Sequence, residues 1–456
     1  MKNGSSAIPA PAIYQAVWRW HFYAGLYVLP FLFLLSLSGL LMLVSKPLEL
    51  WMQEAVTRVS PQAEMLPASA LLSRVRAEYP DATLQLYIPP GSAESSAQFT
   101  LRHPAMHQHG VHAASSTTVY VNPYNANLLG DTVPATSVYN LMKELHSSLF
   151  LGDVGDILLE IAAGLAILMI VSGLYLAWPR APRPARSRSQ TKNREDWRHL
   201  HRISGWLLSI PLLFLLISGL AWTNVWGGKL VQAWSSLPGT SYQAPQSVEL
   251  HQASNISGQH HVPWAVEQTP LPLSSPHHTV LELDTVADIA KTQGFDRFRI
   301  HFPQGEQGVW TISATTMAGD ISNPLAERIL HLDPSSGAPL ADIKFADYPL
   351  MGQAMSAFIP LHQGDLGWWN WWLNFVVVLL VLVLLGSGAM LWWRRRPRQS
   401  FKLAPPAAKP AISNAVLLAM LVIALCFPLS ALALVVVSII DYFFISKVKR
   451  LRALFK

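Results

Sequence analysis

A helix crosses a bilayer core with about 20 apolar residues. Five runs in this chain are long enough: 22–44, 157–178, 203–222, 371–393 and 412–444. Two long segments, 45–140 and 225–355, separate the first run from the second and the third from the fourth, and there the pattern changes. In each, a stretch with helical apolar spacing (68–79 and 286–293) precedes alternating, strand-like runs such as 297–302 and 308–314. Each then carries an apolar strand into a turn, Val119-Tyr120-Val121-Asn122-Pro123 and Leu330-His331-Leu332-Asp333-Pro334. Such a strand meeting Asn/Asp-Pro reads as a β-hairpin. The pattern therefore predicts an α-helical membrane protein with two small α+β domains outside the bilayer. The first run is too long for a signal peptide and lacks a small-residue cleavage site, so it is expected to remain as an anchor. The last run contains Pro428 and is expected as one long, kinked fifth span.

The pattern repeats. Trp20-His21-Phe22-Tyr23-Ala24-Gly25 leads to Ser38-Gly39-Leu40, and Leu200-His201-Arg202-Ile203-Ser204-Gly205 leads to Ser218-Gly219-Leu220. The spans after the outer segments also match. Leu145-His146 leads through Gly152-Asp153 to Ser172-Gly173, and Leu361-His362 leads through Gly364-Asp365 to Ser387-Gly388. Two parallel copies of helix, outer domain and helix predict a four-helix transmembrane bundle plus a fifth C-terminal span. The expected divisions are 1–44, 45–140, 141–180, 181–224, 225–355, 356–398 and 399–456. Glycines within the spans allow close helix approach or room for a flat cofactor.

Composition and charge set the topology. The chain is 51% hydrophobic and 13% charged, where soluble domains carry about 25% charged residues. Its net charge of +6 collects in Pro- and Ser-rich linkers beside spans, from Arg180 to Arg202 and from Arg394 to Lys409. That distribution is a positive-inside signal and not a nucleic-acid one. It puts the N-terminus and both linkers, read as unstructured, in the cytoplasm and both long segments in the periplasm of a bacterial inner membrane. The single cysteine, Cys426, excludes a disulfide framework or a thiolate cluster.

The histidines carry the candidate chemistry. His21 and His201 open two spans on the cytoplasmic side, and His146 and His362 precede two others on the outer side. Imidazole is a common axial ligand of haem iron, and two histidines on facing helices clamp one macrocycle. The repeat thus assigns two bis-His sites, His21/His201 and His146/His362, about 30 Å apart at 1.5 Å per residue over one span. His199 is the alternative to His201, and Arg19 and Arg202 are candidate contacts for haem propionates. Asp156 and Glu160 share one face at the start of the second span, where proton uptake, a propionate contact and interfacial solvation all remain open. A second cluster, His103, Met106, His107, His109 and His112, has the composition of a copper or zinc loop. The plain alternative is that boundary histidines are interfacial polar residues and the loop is solvated.

His21 with Gly25, the two Leu-His pairs, Ser172-Gly173-Leu174-Tyr175-Leu176-Ala177-Trp178-Pro179-Arg180 and the Asp333-Pro334-Ser335-Ser336-Gly337 turn resemble the PepSY-associated transmembrane family. Its members are bacterial inner-membrane proteins often linked to iron uptake, and some are haem-containing reductases of ferric siderophores. The resemblance implies haem b, two per chain, with His21, His146, His201 and His362 as ligands. It implies a ferric siderophore or other ferric chelate as substrate, and quinol or a cytoplasmic reductase as electron donor. The first outer turn departs from the family form, with Asn122 and Asn125-Ala126-Asn127 replacing the acidic Asp-Pro-x-x-Gly pattern. Two other readings stand beside the di-haem reductase. One is a non-redox PepSY-type binding or peptidase-modulating protein; the other is periplasmic copper handling through the histidine loop.

Overall fold

The computed structural model describes residues 12–103, 116–178, 192–233, 244–256, 261–276, 279–395 and 425–440, with positions 422, 443 and 447. Two compact units emerge: 1–40, 144–229 and 375–456 form one, and 41–143 with 230–374 form the other.

Among the described residues, four helices are long and apolar enough to cross a membrane. They are Ala12–Met52, Asp153–Ala177, Lys192–Leu220 and Trp368–Arg395. The first has 41 residues; at 1.5 Å per residue it runs about 60 Å, roughly twice the hydrocarbon core. The third begins at Lys192, so the second half of the basic linker is helical where its charge and Pro/Ser content predict an open chain. Within the first unit, Val28, Leu32, Ala163, Ile167, Leu208, Leu212, Val377 and Val381 bring all four helices into one buried apolar cluster. Of the fifth run, the helix Pro428–Ile440 is described, preceded by non-helical Phe427. Pro lacks an N–H that a helix interior needs, and the first helical position does not. The chain therefore starts a helix at Pro428, and the single long helix expected there is interrupted. Gly164 admits this helix closely, and Ser430 Oγ donates to the Ile161 carbonyl at 3.2 Å.

The second unit is built on one antiparallel sheet of eight strands, ordered β10-β9-β8-β7-β1-β2-β3-β4. In chain order these are β1 Thr83–Ile88, β2 Ala97–Arg102, β3 Ser116–Val121 and β4 Leu128–Thr132. The second set is β7 Arg299–His301, β8 Trp310–Ala314, β9 Arg328–Leu332 and β10 Pro339–Lys344. A two-stranded sheet, β5 Gln246–Leu250 with β6 Pro270–Pro272, lies between the sets in sequence. Where the sequence predicts two separate domains, β1 and β7 pair directly, Leu86 with His301 and Tyr87 with Ile300. The two outer segments thus share one sheet. The helices Ala68–Glu78 and Leu283–Thr292 cover one face. Leu71, Val75, Val286 and Ala290 seal against Tyr87, Phe99, Ile300, Ile312 and Leu330.

The two hairpin turns are built alike despite their different sequences. Asn122 N–H donates to the Asn127 carbonyl at 2.9 Å and Ala126 N–H to the Asn122 carbonyl at 3.0 Å. In the other turn Asp333 N–H reaches the Ala338 carbonyl, and Gly337 N–H the Asp333 carbonyl, both at 2.9 Å. Ala126 has φ 57° where Gly337 has φ 71°. The amide of Asn122 replaces the carboxylate of Asp333 as turn acceptor, taking the Tyr124 N–H at 2.9 Å. The departure in the first turn is therefore one of sequence and not of geometry.

Candidate functional site

Three of the four boundary histidines make the same two contacts within the membrane unit. His21 Nδ1 lies 2.9 Å from Ser172 Oγ, His146 Nδ1 2.9 Å from Ser38 Oγ, and His201 Nδ1 3.0 Å from Ser387 Oγ. Each serine precedes a glycine on a neighbouring helix, and the imidazole edge rests on that glycine. A Cβ added to Gly173 would stand 3.1 Å from His21 Cε1; on Gly39 it would stand 3.3 Å from His146 Cε1, and on Gly388 3.3 Å from His201 Cε1. Each glycine thus lets the ring sit close, and a methyl there would press the imidazole by a few tenths of an ångström.

The serines decide the tautomer. Ser172 Oγ donates to the Met169 carbonyl at 3.1 Å, Ser38 Oγ to the Leu34 carbonyl at 2.6 Å, and Ser387 Oγ to the Leu384 carbonyl at 2.7 Å. A hydroxyl has one proton. With it committed to the helix, each Oγ accepts, and the histidine Nδ1 must donate. His201 Nδ1 also reaches the Leu384 carbonyl at 3.3 Å, and a carbonyl can only accept. In its neutral form each ring then carries its N–H at Nδ1 and a lone pair at Nε2. That is the form in which histidine binds a metal, its other nitrogen donating to an oxygen that fixes the ring. Sequence reasoning missed these serines as part of the site. The signal was present, since a Ser-Gly pair occurs in all four spans.

His201 is among the charged neighbours that His21 senses within the membrane unit. His201, and not exposed His199, meets the Ser-Gly pair of the fourth span. Arg202 is exposed, and Arg19 lies over the Tyr23 ring, 5.6 Å from its centroid. Trp18 stacks on Phe22 beside His21, with ring centroids 5.6 Å apart. His362 belongs to the other unit, in the last turn of the helix Leu350–Gln363. Its main chain is held firmly: Asn374 Nδ2 donates to the Leu361 and His362 carbonyls, both at 2.9 Å. Ser218 makes the back-bond of the other serines, donating to the Phe214 carbonyl at 2.7 Å.

The two buried carboxylates of the second span have a different task. Asp156 accepts the Asn224 N–H at 3.0 Å, and Glu160 accepts those of Val225 and Trp226 at 3.3 and 3.1 Å. A helix leaves its first N–H groups unpaired, and these carboxylates satisfy them for the π-helical turn Asn224–Gln232. They act as caps, which none of the three roles open from the sequence included. Of the histidine loop, Met106, His107, His109 and His112 lie outside the described residues. His103 Nε2 lies 3.0 Å from Thr117 Oγ1. Among the described residues no group of three or more His, Cys, Asp or Glu is arranged to hold a metal ion.

A bis-His haem site needs only two donors, and the fit can be tested on the chain itself. The Nε2 lone pairs, the glycine seats and the aromatic neighbours of His21 suit a flat, apolar, iron-centred group with two axial imidazoles. The family model for the PepSY-associated TM region matches residues 18–395. The chain belongs to that family, and it is a multi-pass membrane protein. No curated protein matches it.

Proposed function

We propose that this protein is a haem b electron carrier of the bacterial inner membrane that reduces a ferric chelate, such as a ferric siderophore, on the periplasmic side. The observation that carries this reading is the common setting of His21, His146 and His201. Each is held by a back-bonded serine in the tautomer that frees Nε2, and each is seated on a glycine. His21 and His201 are the ligands of one haem. His146 is a ligand of the second, with His362 the partner that the sequence repeat assigns. Haem supplies one-electron carriage between ferric and ferrous iron. Held by two imidazoles, such a haem would serve electron transfer rather than the binding of a diatomic ligand. The protein's part is to hold ring orientation through Ser38, Ser172 and Ser387 and to keep water from the ligands with the apolar cluster around them. Electrons enter from quinol or a cytoplasmic reductase.

A reduced-minus-oxidised spectrum of protein purified after haem-replete expression tests the reading. Soret and α bands of a low-spin b-type haem, with reoxidation on adding a ferric chelate, are expected. Absence of haem bands would favour a non-redox PepSY-type protein, and reoxidation by copper alone would favour copper handling.

A further inference from the structure

Outside the membrane helices, the second unit buries a line of histidines that the electron path does not use. Residues 246–256 and 261–274 pack on the face of the sheet opposite the two helices, with Val262, Ala265 and Val266 against Ile329 and Ile343, and two of their histidines bond to strands beneath. His251 Nε2 meets His331 Nε2 of β9 at 2.9 Å, and His261 Nδ1 meets Arg299 Nη1 of β7 at 2.6 Å. His251, His261 and His331 are all buried.

Hydrogen-bond polarity fixes every proton here. His251 Nδ1 donates to the Thr269 carbonyl at 2.8 Å, so its Nε2 carries a lone pair. His331 Nε2 must then donate, and its Nδ1 accepts from Thr311 Oγ1 at 2.8 Å. A guanidinium has donors only, so His261 Nδ1 also carries a lone pair. The His261 contact therefore exists only while that ring is neutral at Nδ1, since a proton there sets a cation on a guanidinium. A proton added to His251 places a buried cation against His331 and forces His331 to move its N–H to Nδ1, facing Thr311 Oγ1.

We propose that these two contacts form an acid-responsive clamp, which loosens residues 246–256 and 261–274 from the sheet when the compartment around this unit acidifies. The surroundings agree. The groups facing the clamp are Arg299 and His301 on β7, Thr311 and Ser313 on β8, His331 on β9, Asp320 beyond β8, and Asn255, Glu267 and Thr269 of the segment itself. The two carboxylates are engaged elsewhere. Asp320 takes Arg299 Nε at 2.8 and 3.0 Å, and Glu267 takes Asn255 Nδ2 at 2.9 Å and Gln232 Nε2 at 3.1 Å. Burial pushes His251 down to about 4 and, with Arg299 beside it, His301 to about 3. Burial and the neighbouring His251 and His301 hold His331 well below the ordinary imidazole value. Apolar packing of Val262, Ala265 and Val266 against Ile329 and Ile343 adds to the two contacts in holding these residues on the sheet while the histidines are neutral.

Hydrogen exchange on the full chain in lipid nanodiscs, at pH 7.5 and pH 5.5 and corrected for intrinsic rates, tests this. Peptides across 248–256 and 261–269 should lose protection at least about tenfold at pH 5.5, while β2 and β3 keep theirs. His261→Gln, whose amide oxygen still accepts from Arg299, should show wild-type protection at pH 7.5 and a smaller loss at pH 5.5 across 261–269. If that variant does not fold, the wild-type profile alone decides. Unchanged protection of the segment, or loss shared equally by β2 and β3, would overturn the proposal. Neither result bears on haem binding.

Discussion

His21 Nδ1 donates to Ser172 Oγ at 2.9 Å, and Ser172 passes its own proton to the Met169 carbonyl one helical turn back. The chain from ring to hydroxyl to helix leaves Nε2 as the only open position on the imidazole. Ser38 and His146, and Ser387 and His201, repeat the arrangement. Removing the hydroxyl should free the ring without removing the ligand. Ser172→Ala is expected to weaken haem retention roughly 10–100-fold, the usual cost of losing an outer-shell partner. The midpoint potential of the remaining haem should rise, because an imidazole with a weaker Nδ1 acceptor is a poorer donor to ferric iron. Spectroelectrochemical titration in nanodiscs reads both effects.

The glycine seats give a steric test. A methyl at Gly173 meets His21 Cε1 at 3.1 Å, whereas one at Gly386 has nothing within 4 Å. Gly173→Ala should shift the His21 ring and lower retention of the haem bound through it, and Gly386→Ala should keep the full complement. Haem-to-protein ratios by pyridine haemochrome distinguish them.

Glu160 separates a cap from a cofactor contact. Glu160→Ala leaves the N–H groups of Val225 and Trp226 without their acceptor, which should cost on the order of 1–3 kcal/mol. The melting temperature in detergent should fall while haem content and potential hold. A propionate contact would move the potential instead.

The buried histidines outside the membrane helices set a pH dependence. His251 and His301 have folded values of about 4 and about 3, below the ordinary 6.5. Unfolded, they bind protons that the folded form refuses, so stability is complete above pH 6.5 and falls as pH drops toward the folded values. The slope is on the order of 1.4 kcal/mol per pH unit for each histidine. Thermal melts between pH 7.5 and 5 should show a level midpoint down to about pH 6.5 and a falling one below it, and His301→Gln should flatten the fall.

The sequence made four apolar spans legible, and with them the common positions of His21, His146 and His201, because apolar runs and repeated spacing are local signals. The helix followed by strands in each outer segment was legible from the change of apolar period and the turn residues. Three things were not legible, each for a physical reason. The β1–β7 pairing joins Leu86 to His301, and periodicity within either segment carries no information about such a partner. The serine role was hidden because Ser-Gly in a membrane helix also serves close packing. The left-handed Ala126 was hidden because its turn is specified by hydrogen bonds from Asn122 and Asn127 and not by a glycine.

The central claim is that His201 is an axial ligand and His199 is not. Low-temperature EPR of the oxidised protein tests it most directly, on wild type, His201→Ala and His199→Ala prepared with haem in excess. The account predicts a bis-imidazole low-spin signal in wild type and His199→Ala, and loss of one such signal in His201→Ala. An unchanged low-spin spectrum in His201→Ala would contradict it.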